Sequence, residues 1–496
     1  MNSLAVRFGA AAFAMIATIM ASAAEVHESW TVLKNGPTNH ADMGNLIAVG
    51  PSGDVYVAAT SYNATTLRYD LTLLRYDSAG AEVWSETLPY RLLPTGPTGL
   101  AVDSAGNPIV TSSSYDEPGV RRLSIWKFDG ATGTLAWERL HPEAGDCLIG
   151  SIATAAVALD AADNVLAAGC GMNLYKYAPD GTLLWQRGGV PAKLDYATDI
   201  AIDPAGGVHL AGNDADFSTV GVVVYDAAGT LVWDHVTHGP IFNTFGRTRV
   251  ALGPAGETVI AADVESMCGV GALRLVRYDA SGAELWHRDF QDTPCTNFQP
   301  AGVAVASTGD IYVAGSLGSG ADIAALKYLP DGTRDWVRTY DGPAHSTDVA
   351  FDMAMDAHDN FYIVGEELFQ SPQNRDIVTL KYDLAGNLDW SISYAGPAGG
   401  NDRPQSIAIG ACGQAYVTGY GWNPPFNSDI YVLAYTQDFP GDLDGDGDVD
   451  LRDFALFQQD ITQSTTPPVP GDLDGDDDVD LDDFILLLHD QSPPCN

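Results

Sequence analysis

Apolar and polar residues alternate along most of this chain in short runs, each ended by Gly, Asp or Asn, and this predicts half-buried strands joined by tight turns. One such turn recurs seven times and always ends on Trp. It reaches Trp84 in YDSAGAEVW, Trp137 in FDGATGTLAW, Trp185 in YAPDGTLLW, Trp233 in YDAAGTLVW, Trp286 in YDASGAELW, Trp336 in YLPDGTRDW and Trp390 in YDLAGNLDW. An eighth, Trp30, stands near the start without the preceding strand. From Trp30 to Trp390 is 360 residues over seven intervals, about 51 each, which is the repeat scale of propeller blades.

A second hairpin recurs eight times between the Trp positions, as in GLAVDSAGNPIVTS and GVAVASTGDIYVAG. Each unit is therefore four strands: A (the AVD type), B (YVAG), C (KYD) and D (the Trp strand). The eighth C strand, Ile430 to Tyr435, has no Trp strand after it, and the segment from about Glu28 to Lys34 can supply one. An all-β, eight-bladed β-propeller of four-stranded antiparallel blades is expected over residues 25–437, its last blade closed by the N-terminal strand so that no outer blade is left unpaired. The Trp side chains at one position of every repeat read as inter-blade packing.

Alternation also assigns the two faces. The A-to-B and C-to-D turns, such as Asp103 to Gly106 and Asp226 to Gly229, are short, with Asp opening the turn and Gly placed for positive φ. The B-to-C and D-to-A connections, such as Tyr62 to Tyr69 and His238 to Thr248, are longer and varied. A ligand site belongs on that longer-loop face. Cys147, Cys170, Cys268 and Cys295 all map there, which favours Cys147 with Cys170 and Cys268 with Cys295 among the fifteen pairings that six cysteines allow. Cys412 and Cys495 remain, and their pairing would tie the tail to the ring.

The pattern changes after Phe439-Pro440. Residues 438–490 hold 17 acidic residues and one basic one, a net charge of -16. GDLDGDGDVDLRDF from Gly441 and GDLDGDDDVDLDDF from Gly471 repeat at an offset of 30. Read as calcium loops, the first puts Asp442, Asp444, Asp446, Asp448, Asp450 and Asp453 at positions 1, 3, 5, 7, 9 and 12, and the second Asp472, Asp474, Asp476, Asp478, Asp480 and Asp483. Oxygen donors in this phase suit two Ca²⁺ ions better than magnesium. Each loop runs into an apolar stripe at helical spacing: Leu451, Phe454, Phe457 and Ile461, then Leu481, Phe484, Leu487 and Leu488. Folding of so small and acidic a module should depend on the ion.

Composition narrows the function further. With 65 acidic residues against 24 Lys and Arg, the formal net charge of -41 excludes a phosphate-neutralising nucleic-acid binder. Arg7, the apolar run Phe8 to Met20 and Ala21-Ser22-Ala23 read as a signal peptide over residues 1–24, so a secreted or cell-surface protein is expected; no later stretch is apolar enough to span a membrane. HExxH, G-x-S-x-G and phosphate-binding Gly loops are absent from the sequence. No catalytic residue is therefore assigned, and convergence of two carboxylates across blades is read as a consequence of composition.

The Y-D-x-x-G-x-x-x-W turn resembles the short bacterial β-propeller (SBBP-like) and PQQ-like repeats over Trp30 to Tyr435, and FDGATGTLAW is nearest the PQQ-like form. A quinoprotein dehydrogenase of that fold would be expected to carry an adjacent Cys pair over its cofactor, which this chain lacks. The duplicated loop and helix over residues 438–496 resembles a type I dockerin, an EF-hand-type calcium module. The resemblance implies a protein partner, cohesin-like, reached through the helices; where such modules carry Ser-Thr, this chain has Leu451-Arg452 and Leu481-Asp482, and Asp477 replaces the position-6 Gly. The expectation is a secreted, monomeric, non-catalytic scaffold that binds a carbohydrate or protein on its longer-loop face. The alternative is a polysaccharide lyase or glycoside hydrolase on a propeller.

Overall fold

The computed structural model describes residues 26–36, 40–92, 96–115, 121–142, 156–188, 194–214, 219–238, 248–265, 271–290, 297–318, 322–370, 373–397, 399–423, 427–438, 441–443, 449, 451–463, 473, 479 and 483. They fall into two compact units, one of residues 28–436 and one combining 437–496 with the N-terminal segment to His27.

The first unit is an eight-bladed propeller of four-stranded sheets, with each blade's strands adjacent in chain order. Blades 1 to 7 begin with the A strands Asp42–Val49, Gly99–Val102, Ala156–Leu159, Tyr196–Ile202, Arg249–Leu252, Phe298–Val305 and Asp348–Met355. Blade 8 consists of Asp402–Ile409, Ala415–Asn423 and Asn427–Gln437, with Val26–Lys34 as its outermost strand. The chain thus closes its own ring. Ser29 and Thr436 hydrogen-bond through their hydroxyls at the seam, and Trp30 and Val32 pack on a core shared by blades 1 and 8, including Val57, Tyr76, Tyr416 and Val432.

The short turns are built alike. At Asp103 to Gly106 the carboxylate accepts from the N–H of Ala105 and Asn107, and Gly106 takes φ +81°. Buried cations from the C strands brace the same face: Lys127 Nζ lies 2.7 Å from Asp103, and Lys176 Nζ lies 2.8 Å from Asp160. Burial opposes the charge on Asp103, but Lys127 and Asn107 outweigh it and hold the carboxyl below its usual range.

Seven of the eight Trp side chains lie over the C-to-D turn of the following blade. Trp30 Nε1 donates to Ser78 O at 3.0 Å, Trp84 to Gly130 O at 2.8 Å, Trp137 to Pro179 O at 3.1 Å, Trp185 to Ala227 O at 3.3 Å and Trp286 to Pro330 O at 2.9 Å. Trp233 packs on Gly282 and Trp336 on Gly386 in the same way, and Trp390 lies against Tyr362. Gly133 shows why the turn needs glycine: φ is +74°, and a Cβ would stand 2.7 Å from the Trp84 ring. The residue two beyond the Trp adds a second brace, which the repeat pattern does not by itself reveal. Arg139, Arg187, Arg288 and Arg338 donate to Gly181, Gly229, Gly332 and Gly386 carbonyls while lying over their own Trp rings.

In the second unit Leu451–Gln463 is helical. Phe457 and Val449 are buried with Val479, and Leu443, Phe454 and Leu473 pack around them, so the two acidic repeats share one small apolar core. The expected second helix and its stripe from Leu481 fall outside the described residues, apart from a helical assignment at Asp483. No helix among the described residues is long and apolar enough to cross a membrane.

Candidate functional site

Three D-to-A connections carry one spacing, Gly-Pro followed by four residues and Asp: Gly36 to Asp42, Gly342 to Asp348 and Gly396 to Asp402. In each, the Gly N–H donates to the Asp Oδ2 at 2.6 Å, which fixes the carboxylate at the head of its A strand on the longer-loop face. The register then carries acid across the blade. Asp348 pairs with Glu367 and Glu367 with Asp376 in blade 7; Asp402 pairs with Gly421 and Gly421 with Asp429 in blade 8; Asp42 pairs with Ser61 and Ser61 with Asp70 in blade 1. Asn63, Asn374 and Asn427 donate to Asp70, Asp376 and Asp429 at 2.9, 3.0 and 3.1 Å and orient them.

Carboxylates so crowded are hard to ionise. Burial, then the charges of Asp402 and Glu367, push Asp376 up to about 6. Burial pushes Asp348 and Asp42 to about 6 as well, with Glu367 and Asp429 adding repulsion and the glycine N–H bonds opposing it. Asp402 and Asp322 are raised by burial, Asp322 also by Asp341. Farther round the ring, burial alone brings Asp263 to about 7. Cations are few here: Arg375 and Arg403 both reach Glu366, on the neighbouring position of the blade 7 B strand.

The sign of the pH dependence follows. Unfolded carboxyls titrate near ~3.9, so between about pH 4 and 6 the folded chain holds protons that the unfolded chain has released, and these groups make stability fall as pH rises through that window. Each pH unit by which folding holds a carboxyl above its unfolded value is worth about 1.36 kcal/mol. Asp376→Asn is therefore expected to raise stability at pH 7 by on the order of 2–3 kcal/mol and to be neutral near pH 4. Thermal melts in a chelating buffer at both pH values check this; an equal effect at both would contradict it.

Aromatic side chains border the acid. Trp422, 42% exposed, pairs across the sheet with Ser428 of blade 8. Ser428 bridges to Ala41 of blade 1, and the Ala41 carbonyl accepts from the Tyr62 N–H. Tyr62 packs tilted against His40 and edge-on against Tyr69, at centroid distances of 5.7 and 5.2 Å. Blades 7, 8 and 1 therefore carry a row of buried carboxylates toward the longer-loop face, with Trp422 and His40 exposed beside it. The G-P-x-x-x-x-D spacing was the available signal for it; taking acid convergence as compositional passed over it.

In the tail, Asp453 is fully buried and its Oδ1 accepts from the Leu443 N–H at 2.7 Å; Asp483 is fully buried and accepts from Leu473 at 2.5 Å. Loop position 12 thus folds back to position 2 in both repeats. Asp442 is partly buried, while Asp444, Asp446, Asp448, Asp450, Asp472, Asp474, Asp476, Asp478 and Asp480 lie outside the described residues. Two buried carboxylates, each at the end of an acidic loop, are a donor set that fits a hard cation. Cys170 and Cys412 are disulfide-bonded to partners outside the described residues, where Cys147, Cys268, Cys295 and Cys495 also fall.

Residues 22–205 and 175–410 match the family profile described as outer membrane protein assembly factor BamB. A crystal structure of a protein of unknown function from Dyadobacter fermentans is 12% identical, with a TM-score of 0.44 over 83% of this chain and 99% of that one. The quinohemoprotein alcohol dehydrogenase of Comamonas testosteroni is 13% identical, with a TM-score of 0.50 over 84% of this chain and 77% of that enzyme, a likeness of fold alone. No curated protein matches the chain.

Proposed function

The chain belongs to the PQQ-like, BamB-type family of propeller repeat proteins, and from that premise we propose that its ring is a recognition scaffold that binds a carbohydrate on the longer-loop face of blades 7, 8 and 1. The exposed Trp422, with His40 and Tyr62 nearby over the buried carboxylates, supports this reading. An exposed indole offers an apolar face to a sugar ring. The protein is exported by its N-terminal segment. Its tail, folded around two calcium ions, attaches the propeller to a protein partner of the cohesin type. Asp453 and Asp483, in equivalent bonds at the ends of equivalent loops, support that role for the tail.

A glycan array and a titration with the best-bound polysaccharide test the ring. Trp422→Ala, at an exposed site, is expected to weaken binding at least about tenfold, as for an aromatic anchor. Unchanged binding would overturn the assignment of the face. A second reading, a polysaccharide-degrading enzyme, draws on carboxyls such as Asp376, whose raised value suits a general acid. New reducing ends released from the bound polysaccharide and lost in Asp376→Asn would favour it.

A further inference from the structure

The three acid-bearing interfaces are not equivalent. Between blades 7 and 8, and between blades 8 and 1, the residue before Gly-Pro is Ala395 or Asn35, and the B-strand partner of the A-strand Asp is Gly421 or Ser61. Between blades 6 and 7 those places are held by Asp341 and Glu367. The C strand of blade 6 adds Asp322 at its head. One oxygen from each of Asp322, Asp341 and Asp348 lies within 4.8 Å of the others. Oxygens this close together can share one hard cation, and carboxylates held without a rigid octahedral frame suit calcium better than magnesium.

Glu367 supplies an independent observation. It is 1% exposed, and its Oε1 has no hydrogen-bond partner among the described residues. Its Oε2 takes only a 3.3 Å bond from the Tyr340 hydroxyl. The carboxylate lies beside Asp348: a Cβ on Gly342 would stand 2.8 Å from Glu367 Oε2 and 3.2 and 3.3 Å from the two oxygens of Asp348. Nearby cations do not neutralise it. His345 Nδ1 lies 2.8 Å from Asp341 Oδ2 at the exposed rim, and Arg375 and Arg403 are engaged with Glu366. A buried carboxylate with one oxygen left unpaired, beside other carboxylates, is costly unless a cation joins them.

We propose that the interface of blades 6 and 7 is a calcium site in which Asp322, Asp341 and Asp348 contribute one oxygen each, with the buried Glu367 carboxylate beside Asp348 adding its charge to the attraction for the ion. It is separate from the tail loops and staples two blades together at the edge of the row of carboxylates. Calcium tolerates an irregular shell completed by water, which the exposed Asp341 rim admits.

Equilibrium dialysis against about 1 mM calcium, in the range of extracellular modules, tests this on the full-length chain with its tail loops disabled by Asp442→Asn, Asp453→Asn, Asp472→Asn and Asp483→Asn. One ion per chain should remain. Asp348→Asn and Asp322→Asn should each remove it, while Asp402→Asn, in the equivalent place at the interface of blades 7 and 8, should keep it. Calcium should raise the melting temperature of the propeller in the tail-disabled chain and leave it unmoved in the Asp348→Asn and Asp322→Asn versions. A tail-disabled chain that binds no calcium would overturn the proposal, as would an ion that survives both substitutions. Failure of the tail reading would look different: disabling the loops would leave the number of bound ions unchanged.

Discussion

Deletion of residues 26–34 is expected to abolish cooperative folding of the propeller. Without them blade 8 ends on Asn427–Gln437, a long edge strand whose N–H and C=O groups face solvent, and the shared core of blades 1 and 8 loses Trp30 and Val32. Truncating a buried Trp or Phe to Ala typically costs about 3–5 kcal/mol. Losing a whole strand with its ladder of hydrogen bonds should therefore consume much of the roughly 5–15 kcal/mol that holds a native domain together. The truncated chain should appear in size-exclusion chromatography as oligomers paired through that edge, with no sharp melting transition. Trp30→Ala, which keeps the strand but empties the cleft between Tyr76 and Tyr416, should instead leave a monomer that melts at a lower temperature.

The second large effect is expected in the tail. Chelation with EGTA should unfold residues 441–491 while the β signal of the ring persists. The small core around Val449, Phe457 and Val479 cannot by itself offset the repulsion among the loop carboxylates, whose net charge over residues 438–490 is -16. Amide exchange should show the Leu451–Gln463 helix protected in calcium and exchanging within the dead time in EGTA. Phe457→Ala should have the same effect even with calcium present, because it removes the one described aromatic that is fully buried in that core. Retained helix protection in EGTA would remove the calcium dependence.

Period and pattern made the ring legible. A Trp without its own preceding strand at one end, and a C strand without a Trp strand at the other, dictated a blade assembled from both ends of the chain, and Val26–Lys34 occupies that place. The Asp and Gly of each short turn were equally readable, because their roles are local. The candidate site was not. Glu367 lies between Asp348 and Asp376 only because three strands pair in one register, and nothing in the sequence near Glu367 distinguishes it from Glu366, which turns to Arg375 and Arg403 instead. The bracing Arg residues fall between these cases: Trp-x-Arg recurs visibly, but its partner is a carbonyl 42 to 48 residues away in the next blade.

Self-closure can be tested at the seam itself. Ser29 and Thr436, 407 residues apart, touch through their hydroxyls. In the double variant Ser29→Cys and Thr436→Cys, mild oxidation followed by peptide mapping should recover a single peptide pair joined by a disulfide within one chain. Two free thiols at these positions, or a link formed only between chains, would contradict the closed ring and the assignment of faces built on it.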